Sequence, residues 1–179
     1  MISDTCFFLT PRLLVKEWHS LTPDEWVEQD LADVVTHMLT DRVTQSLPTD
    51  WKGVYTLERA RQWISERDSE GTTLLVVTRA TGVPAGLVIL FETVDESNDG
   101  VELRLGYLLA EAVWGGGVAS ELIRGFVGWC ERNNVASIVG GVERGNVASR
   151  RVLEKNGFVC DPTEDDAGSE DDIFRLQLG

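Results

Sequence analysis

Cysteine and histidine are scarce in this chain of 179 residues, which contains three cysteines and two histidines. The odd count and wide spacing of Cys6, Cys130 and Cys160 fit neither a disulfide framework nor a metal site. His19 and His37 have no cysteine or histidine neighbour at ligand spacing. We therefore expect reduced thiols and no metal ion.

Basic residues are also few, because 16 lysines and arginines stand against 30 acidic residues and give a formal net charge of −14. Such a chain repels a phosphate backbone unless a basic stripe is hidden in it, so we expect no nucleic-acid partner. The same field attracts a cationic acceptor such as an amine. A surplus of acidic residues also serves solubility alone, and the charge by itself leaves both explanations open.

Long hydrophobic runs are missing as well. The longest runs, at residues 74–77 and 87–91, are much shorter than a membrane span. Residues 1–6 lack the basic region and apolar stretch of a secretory signal. We expect a cytoplasmic protein without membrane association, folded as a single domain over residues 1–179.

The N-terminal third is predicted to be mainly helical after a short strand at residues 13–15. Thr22-Pro23-Asp24-Glu25 has the residues of a capping box, with proline in the first turn. Apolar residues follow at helical spacing, so the pattern predicts a helix that starts at Thr22. A second helix is predicted from Thr56.

From residue 73 onward the pattern changes to alternating strands and helices. The patterns predict strands at residues 73–78, 83–94, 101–109, 135–142, 158–160 and 173–178, with helices at residues 122–130 and 146–155. Thr81-Gly82 predicts an antiparallel hairpin between the first two of these strands. This order is typical of an α/β domain with a mixed sheet.

A glycine-rich turn, Gly115-Gly116-Gly117, lies between a predicted strand and a predicted helix. Successive backbone N–H groups of such a turn can point into one concavity, and the helix dipole adds positive charge, so the turn suits a diphosphate. It contains no Gly-Lys-Ser/Thr as a Walker A loop would, and Ser120 stands where a Rossmann fingerprint needs its third glycine. Two interpretations of the turn remain, a binding site for the diphosphate of coenzyme A and an ordinary flexible turn.

Three segments, taken in order and spacing, resemble the GNAT acyltransferases, in particular the branch of ribosomal-protein N-terminal acetyltransferases. The segments are Thr10-Pro11-Arg12-Leu13, then Leu105-Gly106-Tyr107-Leu108 running into Trp114-Gly115-Gly116-Gly117-Val118-Ala119, and finally Asn146-Val147-Ala148-Ser149 running to Asn156-Gly157-Phe158. Together they extend over nearly the whole chain.

The resemblance implies a single-domain GNAT-like α/β fold with a mixed, mostly antiparallel, splayed central sheet flanked by helices. It implies that acetyl-CoA is the co-substrate and binds Tyr107, Leu108, Leu109, Trp114, Gly115, Gly116, Gly117, Val118, Ala119, Ser120, Asn146, Ser149, Arg150 and Arg151. The family usually has a long polar or basic residue where Gly116 stands. We therefore expect nearby cations to compensate, and the candidates are Arg144, Arg150, Arg151 and Lys155.

The activity implied by the resemblance is transfer of an acetyl group to a primary amine by direct attack, with a protein N-terminal α-amine favoured. The alternatives are a small-molecule amine acceptor and a non-catalytic acyl-CoA-binding domain. Ser149 is the implied proton donor to the leaving thiolate. The backbone N–H groups of Leu108 and Leu109 are candidates for the oxyanion. Glu102 is the predicted general base, with a water chain to a distant carboxylate as the alternative.

Acidic residues are concentrated in residues 161–172. If this segment borders the acceptor groove, it would attract basic peptides or polyamines, although such a run is often only a solvated loop. The sequence is compatible with a monomer or a homodimer.

Overall fold

An eight-stranded sheet runs through the computed structural model, which describes residues 1–95, 100–162 and 168–179. The strands are β1 (Phe7–Leu9), β2 (Leu13–Glu17), β3 (Thr72–Thr78), β4 (Pro84–Asp95), β5 (Gly100–Leu109), β6 (Val135–Glu143), β7 (Val159–Cys160) and β8 (Asp171–Gln177). The helices are α1 (Leu31–Met38), α2 (Asp41–Thr44), α3 (Leu57–Glu70), α4 (Val118–Arg132) and α5 (Val147–Lys155). The strand order is β1-β2-β3-β4-β5-β6-β8-β7.

Neighbouring strands are antiparallel except β5 and β6, which are parallel in the described sheet. The ladder between β5 and β6 ends at the pair Leu105 and Gly140, although both strands continue. The described part of β6 therefore offers no partner to residues 106–109. The predicted mixed and splayed sheet is confirmed.

Two apolar cores lie on the two faces of the sheet. Helix α4 packs Leu122, Ile123 and Phe126 against one face, while α1 and α3 pack against the other with Val35 and Trp63. Alternate residues of β3 point into the two cores, which is why this strand is an almost continuous apolar run. No helix in the described part of the chain combines the length and hydropathy needed to cross a membrane.

The predicted helix start at Thr22 is wrong. The Glu25 contact of the capping box does form, with its carboxylate accepting from the Thr22 N–H at 2.7 Å, but the backbone there makes only a single turn. The N–H of Val27 then donates to the carbonyl of Gly82 at 2.9 Å, so a tertiary contact draws the backbone out of the helical path. Helix α1 starts only at Leu31, after Asp30 has capped it.

Helix α4 approaches the turn between β1 and β2 so closely that only glycine fits at position 125. A Cβ there would lie 2.7 Å from Thr10 Cγ2 and 2.8 Å from Phe8 Cε2. We expect Gly125→Ala to lower the free energy of unfolding by about 1–3 kcal/mol, because overpacking outweighs the better helix propensity of alanine.

The matched control is Gly128→Ala in the same helix, where a Cβ would meet only the end of the Arg132 side chain. Gly128→Ala should leave stability unchanged or raise it by up to about 1 kcal/mol. Urea unfolding of both variants measures the difference. Equal stability of the two variants would contradict the close approach at Gly125.

Candidate active site

A cavity of about 1040 Å³ lies where β5 and β6 separate, at the carboxyl ends of this parallel pair. This place in a sheet is where open α/β folds commonly bind ligands. Residues 105–109 of β5 line one side, and the loop before α4 with the first turn of that helix forms another. The end of β6, the first turns of α5 and side chains between residues 42 and 52 complete the walls. The volume is at the upper end of small-molecule sites.

The glycine turn leaves the N-terminus of α4 open to an anion. Gly115 and Gly117 have left-handed backbone angles, with φ of 79° and 76°. Gly117 is the N-cap and has no side chain with which to cap the helix, and the Glu121 N–H donates to the Gly117 carbonyl at 3.1 Å. The N–H groups of residues 118–120 come before this first helical hydrogen bond, so they have no partner within the helix and are available to a ligand. This donor set fits a diphosphate.

Most of the predicted cofactor-binding residues come together around this cavity. Those that line it are Tyr107, Leu108, Leu109, Trp114, Gly115, Gly117, Val118, Ala119, Ser120, Asn146, Ser149 and Arg151. Of the predicted compensating cations, Arg151 and Lys155 are on the wall.

Gly116, Arg144 and Arg150 are not among the residues that line the described cavity. The carbonyl of Gly116 accepts a hydrogen bond from Arg12 Nη1 at 2.9 Å. Arg150 pairs instead with Glu154 at 3.0 Å. Arg144 pairs with Asp172 at 3.0 Å. Ion pairing thus directs both arginines to neighbouring carboxylates.

Glu102 is also separated from the cavity, so the structure gives no support to its predicted role as general base. Its carboxylate is buried and accepts hydrogen bonds from Arg175 Nη1 at 2.6 Å and from Ser137 Oγ at 3.1 Å. A general base must reach the acceptor nitrogen directly or through a water. Glu102 lies outside the cavity because it stands in the first half of β5, where β5 and β6 are still paired.

We expect Glu102→Ala to lower the free energy of unfolding by about 2–4 kcal/mol, because the Arg175 guanidinium loses a carboxylate partner at 2.6 Å. The kcat of the folded variant should stay within about twofold of the parent, since no reacting atom is contacted. Urea unfolding and steady-state kinetics separate the two effects. A loss of kcat by about 10²-fold or more in stably folded protein would restore the base role.

Tyr107 and Ser149 form the polar centre of the cavity. The phenol oxygen and the serine Oγ are 2.8 Å apart. Burial raises the pKa of Tyr107, and the bond to Ser149 only partly offsets this, so the phenol stays protonated at neutral pH. The Ser149 N–H donates to Asn146 Oδ1 at 3.1 Å, which holds Ser149 in the first turn of α5.

Three cavity carboxylates escaped the sequence analysis as site residues. Glu143 lies at the end of β6 and pairs with Asp171 of β8 in the strand register. Glu170 directly precedes Asp171 in the chain. The Asn146 N–H donates to the Glu143 carbonyl at 2.8 Å, so these residues adjoin the start of α5. Glu170 and Asp171 appeared in the sequence only as part of an acidic run, and Glu164, Asp165 and Asp166 of that run lie outside the described residues.

The signal that could have identified Glu143 is its place directly after the predicted strand at residues 135–142, because ligands gather at such ends. Within the described ranges, no three or more histidine, cysteine, aspartate or glutamate side chains are grouped as metal ligands.

A family model described as an acetyltransferase (GNAT) domain matches residues 21–159 of the chain. This range includes the described parts of α1 to α5 and of β3 to β6. No curated protein sequence matches.

Solved structures share the fold over almost their whole length. An acetyltransferase of the GNAT family from Bacillus anthracis is 16% identical, with a TM-score of 0.72, over 97% of this chain and 99% of that chain. The ribosomal α-N-protein acetyltransferase RimL in complex with coenzyme A is 14% identical, with a TM-score of 0.70, over 97% and 98%. An aminoglycoside acetyltransferase in complex with coenzyme A and kanamycin is 18% identical, with a TM-score of 0.67, over 93% and 94%.

Proposed function

The chain belongs to the GNAT acetyltransferase family and is an acetyl-CoA-dependent N-acetyltransferase, and we propose that its acceptor is the α-amine of a protein or peptide N-terminus. The resemblance noted in the sequence is confirmed at the level of the family. The proposal about the acceptor goes further than the family, and it is supported by the charges and the polar groups of the cavity.

The observation that carries the proposal is the group of carboxylates at the end of β6 and the start of β8. Glu143, Glu170 and Asp171 line the same cavity as Ser149 and adjoin the start of α5. Negative charge there attracts and orients an ammonium group. The carboxylate oxygens can also accept the proton of the attacking amine, directly or through a water. The acceptor that fits is therefore cationic.

The acidity of the acceptor favours an α-amine over a lysine side chain. An α-ammonium group titrates near ~8 and a lysine ammonium near ~10.4. Deprotonation by a carboxylate is thus easier for the α-amine by about 2–3 pKa units. RimL, whose fold is similar, acts on a ribosomal α-amine, and the kanamycin-bound neighbour acts on an aminoglycoside. Both are amines, and only the first is a protein N-terminus.

The chemistry divides among groups of this chain. Bound acetyl-CoA supplies an activated acyl carbon, at which a C–N bond forms and the C–S bond breaks. The open N-terminus of α4 holds the diphosphate. Of the two predicted oxyanion donors, the register directs the Leu108 N–H to β4, so the Leu109 N–H on the opposite edge donates to the developing oxyanion. The Ser149 hydroxyl donates a proton to the leaving sulfur and regains one from solvent, while Glu143 or Asp171 accepts the proton that the amine loses and releases it to solvent.

The proposal is tested by release of free thiol from acetyl-CoA with a panel of amines. The panel contains short peptides with varied N-termini, the same peptides with blocked N-termini, polyamines, amino sugars and free amino acids. We expect turnover with basic peptides that have a free N-terminus and none with the blocked peptides. Preference for polyamines or amino sugars would reassign the acceptor to small molecules. Silence across the panel, from folded protein that binds acetyl-CoA, would indicate a non-catalytic binder.

We expect the double variant Glu143→Gln/Asp171→Asn to raise the KM for a basic peptide about tenfold, because two screened charge contacts are lost. The KM for acetyl-CoA should not rise, since the removed charges are negative. Glu131→Gln, an exposed carboxylate near the far end of α4, is the matched control and should change neither constant. An unchanged peptide KM in the double variant would remove the carboxylates from acceptor binding.

A further inference from the structure

The Thr10-Pro11-Arg12 turn between β1 and β2 contacts the glycine turn and the first turn of α4. Arg12 Nη1 donates to the Gly116 carbonyl at 2.9 Å, and Arg12 Nε donates to Glu121 Oε2 at 2.6 Å. The Arg12 N–H and the Thr10 hydroxyl both donate to Glu121 Oε1, at 2.9 Å and 2.6 Å. This segment is the first of the three that resemble the family, and the resemblance by itself implies no role for it.

Glu121 is an unfavourable residue for a helix that receives a diphosphate. Its carboxylate lies in the first turn of α4 and is only 14% exposed. Burial raises the pKa of this carboxyl, but hydrogen bonds from the Thr10 hydroxyl and from the backbone and side chain of Arg12 outweigh it, so the pKa lies below its ordinary value. Glu121 is therefore ionised at neutral pH. A partly buried negative charge here opposes a second anion at the same helix end.

Arg12 counters this charge and also holds the turn. Its guanidinium is close enough to the loop that Cβ atoms added at Gly116 and Gly117 would lie 3.7 Å and 3.8 Å from Arg12 nitrogens. The bond to the Gly116 carbonyl orients that oxygen toward Arg12, while Gly115 and Gly117 on either side line the cavity. The Gly116 carbonyl oxygen is therefore held on the Arg12 side of the loop by this hydrogen bond.

The turn itself is fixed from several directions. Arg79 Nη1 donates to the Thr10 carbonyl at 2.7 Å, and the Leu13 N–H donates to the Thr10 hydroxyl at 2.9 Å. Gly125 of α4 packs directly against Thr10 and Phe8. A turn anchored in this way can hold the charge of Arg12 in place without reorganisation.

We propose that Arg12 is a positioning residue for coenzyme A. Arg12 neutralises Glu121 and holds Gly116, so that the N-terminus of α4 accepts the diphosphate. The inference rests on the part of the proposed function that assigns the diphosphate to this loop. Arg12 acts through Glu121 and the loop.

The test is calorimetric titration of coenzyme A into the parent protein and five variants, which requires neither turnover nor a known acceptor. We expect Arg12→Ala to raise the Kd for coenzyme A about tenfold, because Glu121 is left uncompensated beside the diphosphate. Glu121→Gln should bind at least as tightly as the parent. The double variant Arg12→Ala/Glu121→Gln should recover most of the lost affinity, since the repelling charge is gone.

Two further variants keep the result interpretable. Arg12→Lys retains the charge without the forked geometry and should lie between the parent and Arg12→Ala. Arg61→Ala removes an exposed arginine of α3 and should not change the Kd. Thermal unfolding of each variant establishes that it is folded.

Parent-like affinity in folded Arg12→Ala would overturn the inference and leave the proposed function intact. An equal loss of affinity in the single and double variants would also overturn it, because the effect would then not pass through Glu121. Failure of the parent to bind coenzyme A would instead refute the assignment of the loop on which the proposed function depends.

Discussion

Ser149→Ala is expected to lower kcat about 10²-fold, while the Kd for coenzyme A stays within about threefold of the parent. The hydroxyl is held by the Tyr107 phenol at 2.8 Å on a helix start that Asn146 caps, so its position is defined before the substrate arrives. A thiolate of pKa near ~8.5 is a fair leaving group, which places the expected loss at the low end for proton transfer. Single-turnover release of thiol measures the effect.

Tyr107→Phe provides the companion measurement, because it keeps the ring and removes the partner of Ser149. We expect a smaller loss of kcat than in Ser149→Ala, since the donor itself remains. Ser69→Ala, an exposed serine of α3, is the matched control and should match the parent. Parent-like kcat in Ser149→Ala would show that the thiolate leaves without a proton from the protein.

Gly117→Val is expected to raise the Kd for coenzyme A about 30-fold. The φ of this residue is 76°, a conformation that costs a β-branched residue about 2–3 kcal/mol, so the valine variant abandons the turn that exposes the N–H groups of α4. Binding then has to restore the turn at that cost. Calorimetric titration with coenzyme A measures the change.

The matched control for this prediction is Gly82→Val in the hairpin between β3 and β4, where φ is 70°. That variant should lose stability to a similar extent without losing affinity, because Gly82 is not among the residues that line the described cavity. If both variants bound coenzyme A as the parent does, the conformation of Gly117 would not matter for binding.

The cofactor side of the site could be predicted because its signals are local. Strand β5, the glycine turn and the first turn of α5 each appear in a few consecutive residues, and their spacing carries the geometry. The capping box at Thr22 failed for the opposite reason, since the contact of Val27 with Gly82 joins residues far apart in the chain. Local propensity is a weak guide where a tertiary contact competes.

The acceptor side depends on register, which the sequence does not reveal. Alternation along β5 gave the face of Glu102 but not the point at which β5 leaves β6. The neighbourhood of Glu143 and Asp171 arises only when β6 pairs with β8. The three-residue strand β1 was missed because such a short segment carries no period.

The open helix start at Gly117 means that the groups offered to the diphosphate belong to the main chain. Truncating the side chains of the turn itself one at a time would therefore leave diphosphate binding largely unchanged, and an alanine scan of the turn would underrate its contribution to cofactor affinity. The same property lets side chains vary here without loss of the donors, provided that the backbone path is kept. Genetic tolerance and functional importance can coincide in one loop.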